Sequence, residues 1–218
     1  MIKLPVVFYE EVTKNKKTIL KETSLKNIDE TIKFFYKEDT VKLIESTKNP
    51  FHKLLFLFIY ETGSRISEAL SVKYADIDES TSKVKIPVLK QRRRVWKFLK
   101  ISDKLLSLIL SRQLRGFGKN DYVFARFKGK RHISLQAADK AFAKCVKNIL
   151  GENYSDRAHL HSLRHSRAIH LLDSGMNIIL LKNFLGHNSM SNTLIYLKYS
   201  SKDLDNAIEQ ANINLFSG

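Results

Sequence analysis

Residues 51–63, FHKLLFLFIYETG, constrain this chain more than any other stretch. From Leu54 to Ile59 no residue is polar, so a helix through them is apolar on every side and has to be enclosed by other elements. Asn49 and Pro50 stand before it and Gly63 ends it. The segment is therefore expected at the centre of the core. With 218 residues the chain can wrap it in one generous domain, or one domain plus a short arm.

The rest of the pattern is mostly helical. Residues 1–37 are mixed, with Lys14, Lys16 and Lys17 clustered, and read as an arm with a short helix starting near Ile28. A helix is expected from Asp39, carried by Val41, Leu43 and Ile44, and SRISEAL opens another after Gly63. KVKIPVLK alternates Val84, Ile86 and Val88 with Lys83, Lys85 and Pro87, the pattern of a half-exposed edge strand. QRRR is the turn, and VWKFLKIS returns as a second strand. SDKLLSLILSRQL, capped by Ser102, is an amphipathic helix. So is SLQAADKAFAKCVKNIL, capped by Ser134, with Leu135, Ala138, Phe142, Cys145 or Val146, and Ile149 inward. Between these helices YVFARFKGKRHIS holds a short strand and a basic turn. A C-terminal helix, SSKDLDNAIEQANINLF, sets Leu204, Ile208 and Ala211 on one side and ends in an apolar tip, Leu215 and Phe216. The fold class is thus mostly α with a small antiparallel β-sheet, in an N-terminal arm at 1–37 and a domain at 38–218.

Charge narrows the partners. Lys and Arg number 38 against 22 Asp and Glu, a formal net charge of +16. Such an excess favours a polyanion, most often nucleic acid, although a ribosome-associated protein or a lysine bias from an AT-rich genome also produces it. Its distribution favours a footprint: Lys83 to Lys100 contains eight basic residues and no acidic one. Lys83, Lys85, Arg92, Arg93 and Arg94 belong to that hairpin, and Arg126, Lys128, Lys130 and Arg131 to the later basic turn, where Phe124 and Phe127 read as core. No run of about 18 apolar residues is present, so no transmembrane helix is expected. The start lacks signal-peptide order, which points to the cytoplasm, at the nucleoid, or the equivalent compartment of an organelle that encodes the chain. Cys145 stands alone, which excludes a disulfide within the chain and argues against a cysteine-based zinc site.

Chemistry concentrates in residues 161–196. His161 and Arg164, three apart, share a helix face. His187 follows Gly186, which fits the end of the apolar run NIILLKNFLG, and Tyr196 lies on the next short helical segment behind a cap at Ser191. Donors for an anion, a titratable imidazole and a phenol are what attack on a phosphodiester requires. Upstream, Arg65 precedes Glu68 by three residues; the pair is either a surface ion pair or a braced guanidinium offered to a phosphate. Lys90, at the hairpin tip, is either solvated or pushed into a groove. His161 and His165 have metal-ligand spacing, but the glutamate of an HExxH pair is absent and no metal is expected. His165 points about 100° away from Arg164 on a helix, which suits a supporting role. Tyr199, one turn beyond Tyr196, is the rival phenol.

Taken together, TGSRISEAL, the basic hairpin with Lys90, HSLRH, LGHNSMS and the following IY resemble the tyrosine recombinase or phage integrase family, in particular Xer-type catalytic domains, over roughly residues 38–212. The resemblance implies the catalytic-domain fold of that family and a site-specific recombinase acting through a 3′-phosphotyrosyl intermediate. It makes Tyr196 the nucleophile, Arg65 and Arg164 the phosphate clamp, and His161 and His187 donors or proton-transfer aids. Lys90 would be the acid for the leaving 5′ oxygen and Glu68 a bracing carboxylate. It implies double-stranded DNA as partner, a homotetramer on paired sites, no membrane, and no cofactor, because the covalent link conserves the phosphodiester energy. A type IB topoisomerase-like nicking and closing enzyme and an accessory DNA-binding protein without strand exchange are the other readings. The family's separate helical N-terminal domain is replaced by the short arm, so a partner recombinase or accessory protein is expected to supply the missing grip, or the chain descends from a longer recombinase.

Overall fold

The computed structural model describes residues 32–89 and 95–200. Lys90, Arg92, Arg93 and Arg94, the helix near Ile28 and the C-terminal helix with its apolar tip lie outside the described residues.

Helix α1 covers Lys37–Ser46 and α2 covers Pro50–Thr62. The Asn49 side chain accepts hydrogen bonds from the amides of Phe51 (2.9 Å) and His52 (3.2 Å), and Pro50 occupies the first turn, where its missing N–H costs nothing. Leu54 through Ile59 are all buried, as an all-apolar helix requires. Around α2 pack α1, α3 (Ile66–Leu70), α4 (Asp103–Gln113), α5 (Leu135–Leu150) and α6 (Leu160–Asp173). Edge-on aromatic contacts tie them together: Phe56 meets Phe142 of α5 at 5.0 Å and Phe58 meets Phe124 at 5.3 Å. Gly63 ends α2 in the left-handed conformation, φ 54°.

The sheet is three-stranded and antiparallel, in the order β1 (Ile77–Asp78), β2 (Lys83–Val88), β3 (Val95–Lys100). KVKIPVLK is therefore the central strand, not an edge. Its proline is tolerated because two-residue β1 pairs only with Lys83 and Val84, which leaves Pro87 facing no β1 ladder. Val84, Ile86 and Val88 face the core as the alternation predicts. Across the ladder Lys97 stands opposite Ile86, while Trp96 pairs with Pro87 and Phe98 with Lys85. Partners directly across a ladder share a face, so Lys97 turns inward and Trp96 and Phe98 turn out.

Five local expectations change. The strand in YVFARFKGKRHIS is reduced to isolated bridges, Lys73 with Tyr122 and Ala125 with His132, because the chain turns between them. Leu135, at the start of α5, is 46% exposed, and Val41 on α1 is 52% exposed, its place in the core taken by Thr40. Phe127 is likewise exposed, whereas Phe124 is buried. Ser191 begins α8 (Ser191–Leu194) without capping it; Met190 holds the cap position and the Ser191 hydroxyl bonds that of Ser189. No helix among the described residues is long and apolar enough to cross a membrane.

Candidate active site

Three chain ends converge beside the buried end of α2. They are Gly63 with the start of α3, the C-terminus of α7 (Ile178–Leu185), and the 3₁₀ turn Ile195–Lys198 that follows α8. Helix α6 runs past all three, and Arg164 projects from it, 1% exposed. Its Nη1 donates to the Gly63 carbonyl at 2.5 Å, and its Nη2 donates to the Leu185 carbonyl at 3.0 Å and to His187 Nε2 at 2.8 Å. Gly63 and Leu185 lie at the C-terminal ends of α2 and α7, where unpaired carbonyls and the negative end of the helix dipole stabilise a cation. Burial lowers the Arg164 pKa to about 10, so the guanidinium stays charged at neutral pH.

Those bonds determine the state of His187. A guanidinium only donates, so Nε2 accepts and the ring proton sits on Nδ1, 2.9 Å from the Thr193 hydroxyl. Burial, with Arg164 and Arg65 adding like charge, lowers the His187 pKa to about 3. Gly186 makes the geometry available: at φ 67° it closes α7 and turns His187 back toward Arg164.

Tyr196 is 2% exposed. Its ring stacks on that of His187 at 6.4 Å between centroids and 7° between planes. Its hydroxyl lies 2.9 Å from Nδ1 of His165. Burial raises the phenol pKa, opposed by the positive charges of Arg164 and Arg65. Tyr199 instead packs edge-on against Phe34 at 5.9 Å. Arg65, beside the Gly63 turn, is held by Glu68: Nη1 meets Oε1 at 3.0 Å, and the Arg65 amide donates to Oε2, also at 3.0 Å. Glu68 is 1% exposed, so the pair is a braced guanidinium at a site edge rather than a surface ion pair. His161, one turn before His165 on α6, is exposed, and its ring stands perpendicular to that of His165 at 4.5 Å.

The structure thus brings together Arg65, Glu68, Arg164, His187 and Tyr196, with His161 reaching them through His165. In the sequence one member, His165, is assigned only a supporting role, and another is not singled out. His165 touches the phenol because the bearing that separates it from Arg164 is the bearing from which Tyr196 arrives. Lys97 is the other: 9% exposed, its ammonium donates to the carbonyls of Thr62 (3.1 Å) and Phe184 (3.3 Å), the residues just before Gly63 and Leu185. It runs beside Arg164 as a second cation between the same two helix ends. Burial, with Arg164 next, lowers its pKa to about 7. The signal that could have found it is its place opposite Ile86 once the hairpin register is drawn.

Of the basic residues proposed for a backbone contact, Lys83, Arg126, Lys128, Lys130 and Arg131 are exposed, and Lys85 lies over the Trp96 ring at 4.3 Å. No cluster of His, Cys, Asp and Glu suited to a metal occurs among the described residues. Two fixed guanidiniums, neutral imidazoles and a buried phenol can hold a tetrahedral oxyanion and offer a nucleophile to it.

The model of the phage integrase family matches residues 33–202. Tyrosine recombinase XerA of Pyrococcus furiosus is 32% identical over 172 residues, covering 76% of this chain and 57% of the relative. The catalytic domain of bacteriophage HP1 integrase superposes with a TM-score of 0.56 at 21% identity, covering 82% of this chain and 95% of that domain. The XerH recombinase bound to its difH substrate, in a pre-cleavage complex, superposes with a TM-score of 0.65 at 22% identity over 76% of this chain and 50% of that one. The folds agree in being mostly helical with a small antiparallel sheet. The chain spans about half the length of the curated relatives it matches.

Proposed function

The chain belongs to the phage integrase family, and on that premise we propose that it is a site-specific DNA recombinase that cleaves and rejoins DNA through a 3′-phosphotyrosyl intermediate. The observation that carries this reading is a buried phenol, Tyr196, set between two neutral imidazoles beside Arg164. Tyr196 attacks the phosphorus. Arg65 and Arg164 hold the non-bridging oxygens and offset the charge that grows in the pentacoordinate transition state. Glu68 keeps Arg65 at its post. His161 donates to the same oxygens or assists proton transfer, His187 holds Arg164 in place through its Nε2, and Lys90 protonates the departing 5′ oxygen, which would otherwise leave as a poor alkoxide. The exposed basic residues of the hairpin and of the 126–131 turn, with Arg92, Arg93 and Arg94, contact the DNA backbone and make binding steeply salt-dependent.

Double-stranded DNA is the partner, engaged by a homotetramer on paired sites, with a partner recombinase or accessory protein contributing grip. The domain at 38–218 is the catalytic unit and 1–37 the arm, working in the compartment that holds the DNA. The second reading is an accessory DNA-binding protein without strand exchange, which the exposed basic residues of the 126–131 turn would serve equally.

Incubation with nicked suicide duplexes drawn from a pool of candidate sites separates the two. Wild type and Tyr199→Phe are expected to form a covalent protein–DNA adduct, and Tyr196→Phe none. Absence of any adduct with wild type leaves the accessory reading; an adduct with Tyr196→Phe moves the nucleophile elsewhere.

A further inference from the structure

We propose that His165 is the general base of the cleavage step, taking the Tyr196 proton as the phenol attacks. The proposal rests on the function proposed above and adds the group that activates its nucleophile. The phenol oxygen lies 2.9 Å from Nδ1 of His165. Which atom donates follows from the neighbours. Arg164 carries its charge beside the Tyr196 oxygen and can only donate, so the oxygen's lone pairs turn toward the guanidinium and its own hydrogen is left for His165. Nδ1 of His165 is therefore the acceptor and its ring proton sits on Nε2.

The other imidazoles are less suited. His187 Nε2 is taken by Arg164 and its Nδ1 by Thr193, and its ring stacks on Tyr196 face to face instead of meeting the hydroxyl. His161 stands behind His165, perpendicular and exposed, where it can pass a proton on to solvent.

The balance is simple. The Oη–H bond of Tyr196 breaks and its proton moves to Nδ1 of His165; the Oη–P bond forms as the P–O5′ bond breaks; the leaving oxygen takes a proton from Lys90. Rejoining runs the same transfers in reverse. Burial, followed by His161, Arg164 and His187, lowers the His165 pKa to about 3. The ring is thus an available acceptor at every working pH but too weak to deprotonate the phenol beforehand, so transfer accompanies attack. A phosphodiester anion held between Arg65 and Arg164 offsets the like charge that depresses the imidazolium, and so favours the transfer where substrate is bound.

Two measurements test this on the full chain. In the DNA-free protein, 15N spectra of the imidazoles are expected to show His165 protonated on Nε2 with Nδ1 an acceptor, and this Nδ1 signal should move in Tyr196→Phe. A proton on Nδ1 overturns the proposal. In single-turnover adduct formation on a nicked suicide duplex, His165→Asn is expected to be slowed about 100-fold or more. Its rate should rise about tenfold per pH unit as hydroxide replaces the base, and imidazole should restore His165→Ala. His165→Asn within about threefold of wild type with the same pH profile overturns the base and leaves the recombinase reading standing; if His165→Ala does not fold, the near-isosteric Asn variant decides. A wild type that forms no adduct, with the expected 15N tautomer present, removes the recombinase reading and the base with it.

Discussion

Replacing Lys97 by Met tests the physical account of the site most directly, because it separates burial from charge. The two side chains have similar length, so the change removes the ammonium and its bonds to the Thr62 and Phe184 carbonyls while keeping the stem. Two buried carbonyls then lose a donor, at about 1–3 kcal/mol each. Against this stands the cost of keeping a lysine charged there. With a folded pKa of about 7 against an ordinary 10.5, that cost is about 5 kcal/mol well below pH 7 and about 4 kcal/mol at pH 7, falling to about 2 kcal/mol at pH 9. The sign follows from proton counts: between roughly pH 7 and 10.5 the unfolded lysine binds more protons than the folded one, so wild-type stability rises with pH through that window. Methionine has no such term. Urea unfolding of both proteins at pH 6, 7, 8 and 9 should therefore show wild type gaining about 2 kcal/mol on Lys97→Met between pH 7 and pH 9. A difference that stays constant across this range refutes the depressed lysine, whatever the variant's absolute stability.

Gly63→Ala should be far more costly than Gly129→Ala, although both glycines have positive φ, 54° and 64°. A Cβ at Gly63 would lie 2.6 Å from Cε1 of Phe184, whereas Gly129 has open space, so thermal melting should separate the variants by about 2 kcal/mol or more beyond the shared backbone cost of about 1 kcal/mol. Equal melting temperatures would remove the Phe184 contact from the argument. In the core, Leu55→Ala, at a fully buried position, should lose about 2–5 kcal/mol in denaturant titration, and Leu135→Ala, at 46% exposure, within about 0.5 kcal/mol; a large loss at Leu135 would place it back in the core.

Local chemistry was readable where neighbours along the chain decide it. The enclosure of 51–63, the caps at Ser102 and Ser134, the left-handed ends at Gly63 and Gly186, and the Arg65–Glu68 brace all depend on residues within a few positions. The candidate site was legible as a set of types in an order: Arg65, Arg164, His187 and Tyr196 gather as that order implies, while Lys90 falls outside the described residues. Reading failed where a distant segment decides. Leu135 and Val41 satisfy helical periodicity, yet neighbouring elements cover the adjacent positions instead. Pro87 marked an edge strand, and only the shortness of β1 lets it sit in the middle one.

Among the described residues, then, the sequence by itself determined where most helices form and stop and which reactive groups the fold has to accommodate, because propensity, capping and apolar periodicity act over one or two turns. The tertiary structure alone decided what those groups are. Lys97 becomes a buried cation because ladder pairing puts it opposite Ile86, and His165 meets a phenol 31 residues further on. Both outcomes depend on which surface arrives at a given bearing, and bearing is a property of packing that no local pattern contains.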